Sequence, residues 1–207
     1  MNFDITKSLS NHPRLRIAAL FVLCALLLGG CAKGPPPSLY MLDQPFFAEM
    51  AGIEKGIAVG VGPIELPQYL DRPQIITRDG VNRLHASDAH VWAEPIKNSA
   101  SRVLAVTIAA QLDSNRIYVL PRRVRTVLDW RVEIDVGRFD GNIDGNVLLA
   151  ARWSLFRGDK PDLAASRVSI IEESVDGDNY GAMVSAQSRA LQRLGREIAA
   201  TIKTGSQ

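Results

Sequence analysis

The sequence predicts an α/β chain of the α+β kind. It reads as a two-layer sandwich in which a mostly antiparallel or mixed sheet carries two main helices on one face. Three patterns predict it. Leu128, Trp130, Val132, Ile134 and Val136 alternate with Asp129, Arg131, Glu133 and Asp135, the period-two mark of a strand with one buried face. Two stretches, 95–112 and 180–202, instead repeat their apolar residues every three or four positions, the period of a helix with one packed face. Asp79-Gly80 between two β-rich runs is a hairpin signal.

Taken in order, residues 38–42 form a short strand candidate. Residues 57–61 form a second, rich in β-branched side chains and expected to stop at Gly62-Pro63. Residues 66–71, flanked by prolines, read as an irregular connection. Residues 74–78 and 81–85 then flank the predicted two-residue turn at Asp79-Gly80. Glu94-Pro95 opens the first helix, because proline is favoured in a first turn; Ile96, Ala100, Val103, Leu104, Thr107, Ile108 and Leu112 give its face. A short strand follows at 117–120, and two more strands at 146–156 and 167–173. The closing helix places Met183, Val184, Gln187, Leu191, Leu194, Ile198 and Ile202 on one stripe.

Ahead of this domain lies a different kind of sequence. Arg14 and Arg16 precede twelve uncharged residues, 17–28, too few to span a bilayer and well suited to the core of a signal peptide. Leu28-Gly29-Gly30-Cys31 follows, in the order of a bacterial lipobox, whose cysteine thiol is diacylated before cleavage at its amino side. The expected organisation is a signal peptide over 1–30, a lipidated tether over 31–38 and one domain over 39–205, with Cys31 as the anchor. Three consecutive prolines, 35–37, stiffen the tether. At about 3.5 Å per residue, 32–39 reaches at most roughly 28 Å. Ala32 replaces the aspartate that tends to retain a lipoprotein in the inner membrane, so an outer-membrane address facing the periplasm is expected.

Charge and cysteine usage narrow the function. The formal net charge is +2, and the leader alone (Lys7, Arg14 and Arg16 against Asp4) carries that excess. The remaining domain is neutral, which gives no support for nucleic-acid binding. With Cys24 in the leader and Cys31 acylated, the domain has no disulfide and rests on packing alone.

No catalytic set, cofactor site or metal site assembles from the sequence. The run from Asp140 to Gly145 matches the opening of an EF-hand loop, but Ala151 stands where the bidentate glutamate belongs and strands flank it, so it reads as a hairpin turn. His85 and His90 lie five apart, with no cysteine or carboxylate cluster to complete a zinc set and no nucleophile elbow to serve. Arg122, Arg123 and Arg125 read as a solvated basic loop. Trp92 reads as a plug closing the start of the first helix. Asp178-Asn179 reads as the cap of the second helix. In the 66–71 connection, Leu66, Tyr69 and Leu70 are apolar residues outside regular elements. They are possible partner contacts, the alternative being that they fold back on the core.

A set of short pieces in fixed order carries a family resemblance: Tyr40-Met41-Leu42; Gly62-Pro63, Pro67, Tyr69-Leu70 and Arg72-Pro73; Trp92-Ala93-Glu94-Pro95-Ile96; Phe139-Asp140-Gly141; Trp153; and Asp178-Asn179-Tyr180. On a lipidated domain this set resembles the PqiC/YmbA-like ABC-type transport auxiliary lipoproteins, over nearly all of the mature chain. The resemblance implies a non-catalytic subunit of an envelope lipid-transport system that supports membrane integrity. Its implied partners are an inner-membrane permease and a periplasmic MCE-domain tunnel protein. A homo-oligomeric ring, held to the outer membrane by its acyl chains, would dock the tunnel's far end. An accessory lipoprotein of an outer-membrane assembly or secretion machine, and an envelope hydrolase, are the other classes the sequence leaves open.

Overall fold

A computed structural model of the chain describes residues 34–44, 53–121, 126–158 and 162–205. Cys31 and the basic triplet Arg122, Arg123 and Arg125 lie outside the described residues. Residues 37–207 form one compact unit. Its elements are β1 (Ser38–Tyr40), β2 (Val59–Glu65), a 3-10 turn (Gln68–Leu70), β3 (Gln74–Asp79), β4 (Arg83–Trp92), α1 (Ile96–Leu112), β5 (Ile117–Val119), β6 (Trp130–Gly141), β7 (Asn146–Arg157), β8 (Leu163–Ser174) and α2 (Tyr180–Gly205).

The strands make one mixed sheet of eight. β6, β7 and β8 form an antiparallel meander in nearly continuous register. The other edge of β6 is shared. β2 runs parallel to its first half, from Val59 opposite Trp130 to Glu65 opposite Asp135, and β3 meets its far end at Thr77 opposite Gly141. β5 extends the sheet beyond β2, while β4 and then β1 extend it beyond β3.

The two helices form the second layer. α2 lies over β6, β7 and β8, α1 lies over β2 and β5, and the helices pack against each other. Gly195 of α2 faces Thr107 of α1 across their contact. A Cβ there would sit 2.9 Å from the side chain of Thr107, so no larger residue fits. The predicted stripe of α2 is buried along its whole length, Gln187 included. α1 is covered on more than one side, and even Ser99, Ser101 and Thr107 are buried. Their hydroxyls return to the helix backbone, Thr107 donating to the Val103 carbonyl at 2.8 Å. Burial of the alternate residues Val147, Leu149, Ala151, Trp153 and Leu155 closes the core from the sheet side.

Three sequence expectations change. The strand at 57–61 does not stop at Gly62-Pro63 but continues to Glu65. Its pairing with β6 shifts register between Val61 and Ile64, so Pro63, which lacks an N–H, falls where the ladder is already interrupted. The β3–β4 turn has three residues, 80–82, because Asp79 pairs with Arg83; Gly80 takes the positive φ of 73° that the turn requires. β4 and β6 also run further than the sequence pattern marked, to Trp92 and Gly141.

Candidate functional site

The connection from β2 to β3 folds over the region where β6 changes partners. Between the last β2 pair at Asp135 and the β3 pair at Gly141, neither strand pairs with β6 through its backbone. Within that stretch the β6–β7 register slips by one residue at Gly137. The bulge reverses which residues face the helices. Phe139 therefore enters the core, and Asp140 points to the opposite face.

Asp140 is nonetheless 0 % exposed. Arg78 of β3 donates from Nε to Oδ1 at 2.8 Å and from its terminal nitrogen to Oδ2 at 2.7 Å. The Tyr69 hydroxyl donates to Oδ2 at 2.7 Å, and Arg138 Nε donates to Oδ1 at 2.8 Å. Burial alone would raise the Asp140 carboxyl, but the hydrogen bonds from Arg78, Tyr69 and Arg138 outweigh it and hold the group below its ordinary range. Burial, then the bond to Asp140, pushes the Tyr69 phenol up to about 12. The same carboxylate raises Arg78. The cluster is a side-chain replacement for the missing backbone ladder, and it pins the 3-10 turn to the sheet.

Pinning the turn sorts the three predicted contact residues. Leu70 is 4 % exposed and packs in the core, as the fold-back alternative has it. Leu66 and Tyr69 are half-buried against the same core. What the connection leaves at the surface is Gln68, Asp71 and Arg72, with Pro73 beyond them; Asp71 and Arg72 are its charged residues. These border an apolar pocket of about 340 Å³ formed with Pro73, Trp92, Pro95 and Ile96. Trp92 is buried at the entry to α1, as expected of a plug. Glu94 on the rim pairs with Arg102, whereas Arg72 makes no ion pair among the described residues.

The other sequence candidates take structural places. His90 Nδ1 lies 2.8 Å from the Tyr40 hydroxyl, and its ring stacks on Tyr180 at 4.0 Å, joining β1, β4 and α2. His85 is exposed on β4, opposite Thr77, away from that stack. The Asp140–Gly145 run is the β6–β7 hairpin, and its first residue belongs to the buried cluster rather than to a cation site. Asn179 caps α2 through its side-chain oxygen, which accepts from Ala182 N at 2.9 Å. Among the described residues no group of three or more His, Cys, Asp or Glu could hold a metal. No described helix is long and apolar enough to cross a membrane.

Residues 40–199 match the family model of the ABC-type transport auxiliary lipoprotein component. The chain belongs to that family. It is not a known enzyme family; the name describes a membrane-anchored accessory of a transporter. Among solved structures, one described only as an uncharacterized protein shares the fold at a TM-score of 0.66 and 20% identity, covering 81% of this chain and 99% of the other. A Xanthomonas campestris protein does so at a TM-score of 0.62 and 20% identity, covering 82% of this chain and 98% of its own. At that identity the likeness establishes the fold of this auxiliary lipoprotein and no more. No curated protein gave a significant match. The expected family and the α+β fold are both borne out.

Proposed function

We propose that this auxiliary lipoprotein is an outer-membrane subunit of an MCE-type lipid transport system, acylated at Cys31 and facing the periplasm. The observation that carries the reading is the family match across 40–199, which begins directly after a lipobox and its tether. In this reading residues 1–30 are removed, 31–38 tether the chain, and 39–205 dock the periplasmic tunnel protein, which works with an inner-membrane permease. Identical copies close into a ring by rotation, the arrangement suited to the end of a symmetric tunnel.

The docking surface centres on the exposed rim of the pinned connection, Asp71 and Arg72, beside the Trp92 pocket. Rigid apolar pockets with a polar rim are where partner anchor residues concentrate binding energy. The role is mechanical rather than chemical, so binding and position are what it must preserve.

Affinity purification from membranes, paired with detergent phase partitioning, tests the proposal. The wild type is expected in the detergent phase, in outer-membrane fractions, together with an MCE protein. Cys31→Ser is expected in the aqueous phase or as unprocessed precursor, because a hydroxyl cannot replace the thiolate in thioether formation. A Cys31→Ser chain still carrying diacylglycerol would end the anchor assignment. Co-purification with a β-barrel assembly machine in place of an MCE protein would end the transport assignment.

A further inference from the structure

β8 is a twelve-residue edge strand, paired with β7 on one side only. Long exposed edges are templates for further strands, and proteins that keep them free usually place lysine, proline or a bulge there. β8 has no lysine, no proline and no bulge between Ala165 and Ser174, and its charges are confined to Arg167, Glu172 and Glu173. Instead Val168 and Ile170, on the face turned away from the helices, are 56 % and 71 % exposed.

A second observation falls on the same edge. A cleft of about 430 Å³ opens between β8 and the last turns of α2, floored by Trp153 and walled by Arg167, Ser169, Glu197, Thr201 and Thr204. Its polar groups are unequally occupied. Trp153 Nε1 donates to Ser169 Oγ at 3.0 Å, and Ser169 donates on to Glu197 Oε2 at 2.6 Å. Arg193 lies 4.0 Å from the other Glu197 oxygen. Arg167 stands 5.9 Å from the centre of the Trp153 ring and forms no ion pair among the described residues. The edge therefore presents an open ladder, two exposed aliphatic side chains at the middle of its outer face and one unmatched cation on the inner face.

We propose that β8 and the flank of α2 form a strand-addition groove for an extended segment of a partner protein, one that sets a carboxylate side chain opposite Arg167. Main-chain bonds to β8 would hold the segment, and alternate side chains would give selectivity, apolar against Val168 and Ile170 and acidic toward Arg167. A second copy of the chain is a poorer occupant. Antiparallel self-pairing that brings a carboxylate to Arg167 on the inner face uses Glu173, which Arg189 and Arg193 already hold at 3.5 and 3.8 Å. The inference does not depend on the transport reading, because β8 lies on the meander edge and shares no residue with the Arg72 rim.

The test uses the full chain in detergent micelles and two blocked heptapeptides of alternating valine and threonine, one with aspartate at its centre and one with lysine. Binding is read by amide hydrogen exchange along 163–174. The aspartate peptide is expected to slow exchange there and to bind about fivefold tighter than the lysine peptide, the scale of one cross-strand charge pair. Arg167→Glu is expected to reverse that preference and Arg167→Gln to erase it. Val168→Lys with Ile170→Lys, both at exposed positions, is expected to abolish the protection. The two peptides on the wild-type chain decide the matter even if a variant misfolds. Equal affinity for both peptides, or no protection of β8 at millimolar aspartate peptide, overturns the proposal. Protection that grows with protein concentration in the absence of peptide overturns it in favour of a second copy.

Discussion

The two sides of β6 are held by different physics. On one side, β6, β7 and β8 pair along nearly their whole length, with single-residue slips, and the helix-facing residues of β7 are uniformly apolar from Val147 to Leu155. On the other, β2 and β3 each take only part of the edge, and a buried carboxylate bridges the interval. The first side gains stability from many small, similar contributions. The second concentrates it in a few groups that stand or fall together. A repeated ladder absorbs a local change; a single ion cluster does not.

The sharpest way to break that comparison is Asp140→Ala. Removing the shared acceptor strands Arg78 and the Tyr69 hydroxyl at a buried position, and a loss of about 3–5 kcal/mol is expected. Guanidinium unfolding measures it; a change under about 1 kcal/mol would mean water satisfies the arginines and the cluster does not hold β3 to β6. Gly141→Ala comes next, at the seam between the two sides. A Cβ there would lie 2.4 Å from the Asn146 carbonyl oxygen and 2.7 Å from Val147 Cα, so backbone must move. About 1–3 kcal/mol is the expected cost, and an unchanged midpoint would show the hairpin to be looser than its register implies.

Tyr69→Phe is the gentlest probe, with about 1 kcal/mol expected at neutral pH from one hydrogen bond. Its signature is in the pH profile. The phenol rises from 10.0 to about 12 on folding, so its contribution is complete below pH 10 and is lost as pH climbs through 12. The phenylalanine variant is expected to lose less stability than wild type across that window. The Asp140 carboxyl is lowered on folding, so its contribution persists above the ordinary carboxylate range and fades as pH falls below about 4. Identical alkaline profiles for wild type and variant would remove Tyr69 from the cluster.

The regular side was legible because period is a local property. Alternation from Leu128 to Val136 and the stripe of α2 needed no knowledge of partners. That alternation, continued, assigns Arg138 and Asp140 to the core face; the bulge at Gly137 cancels the assignment, and the interior glycine is its one local signal. The first residues of β8, Leu163 to Ser166, went unread because leucine, alanine and serine carry little strand preference. Leu66, Tyr69 and Leu70 stood out as apolar residues in a connection. That Leu70 turns inward and Tyr69 reaches Asp140, 71 positions later, is a long-range fact that spacing cannot carry.

β1 gives the domain a further property. Any tension drawn through the chain before residue 38 enters the fold at this strand, only three residues long and paired to β4 alone. The Tyr40 hydroxyl reaches His90, and the His90 ring lies flat against Tyr180, the first residue of α2. A pull on a surface anchor is thus shared at once between the sheet and the longest helix, as a guy rope made fast at two posts loads neither alone.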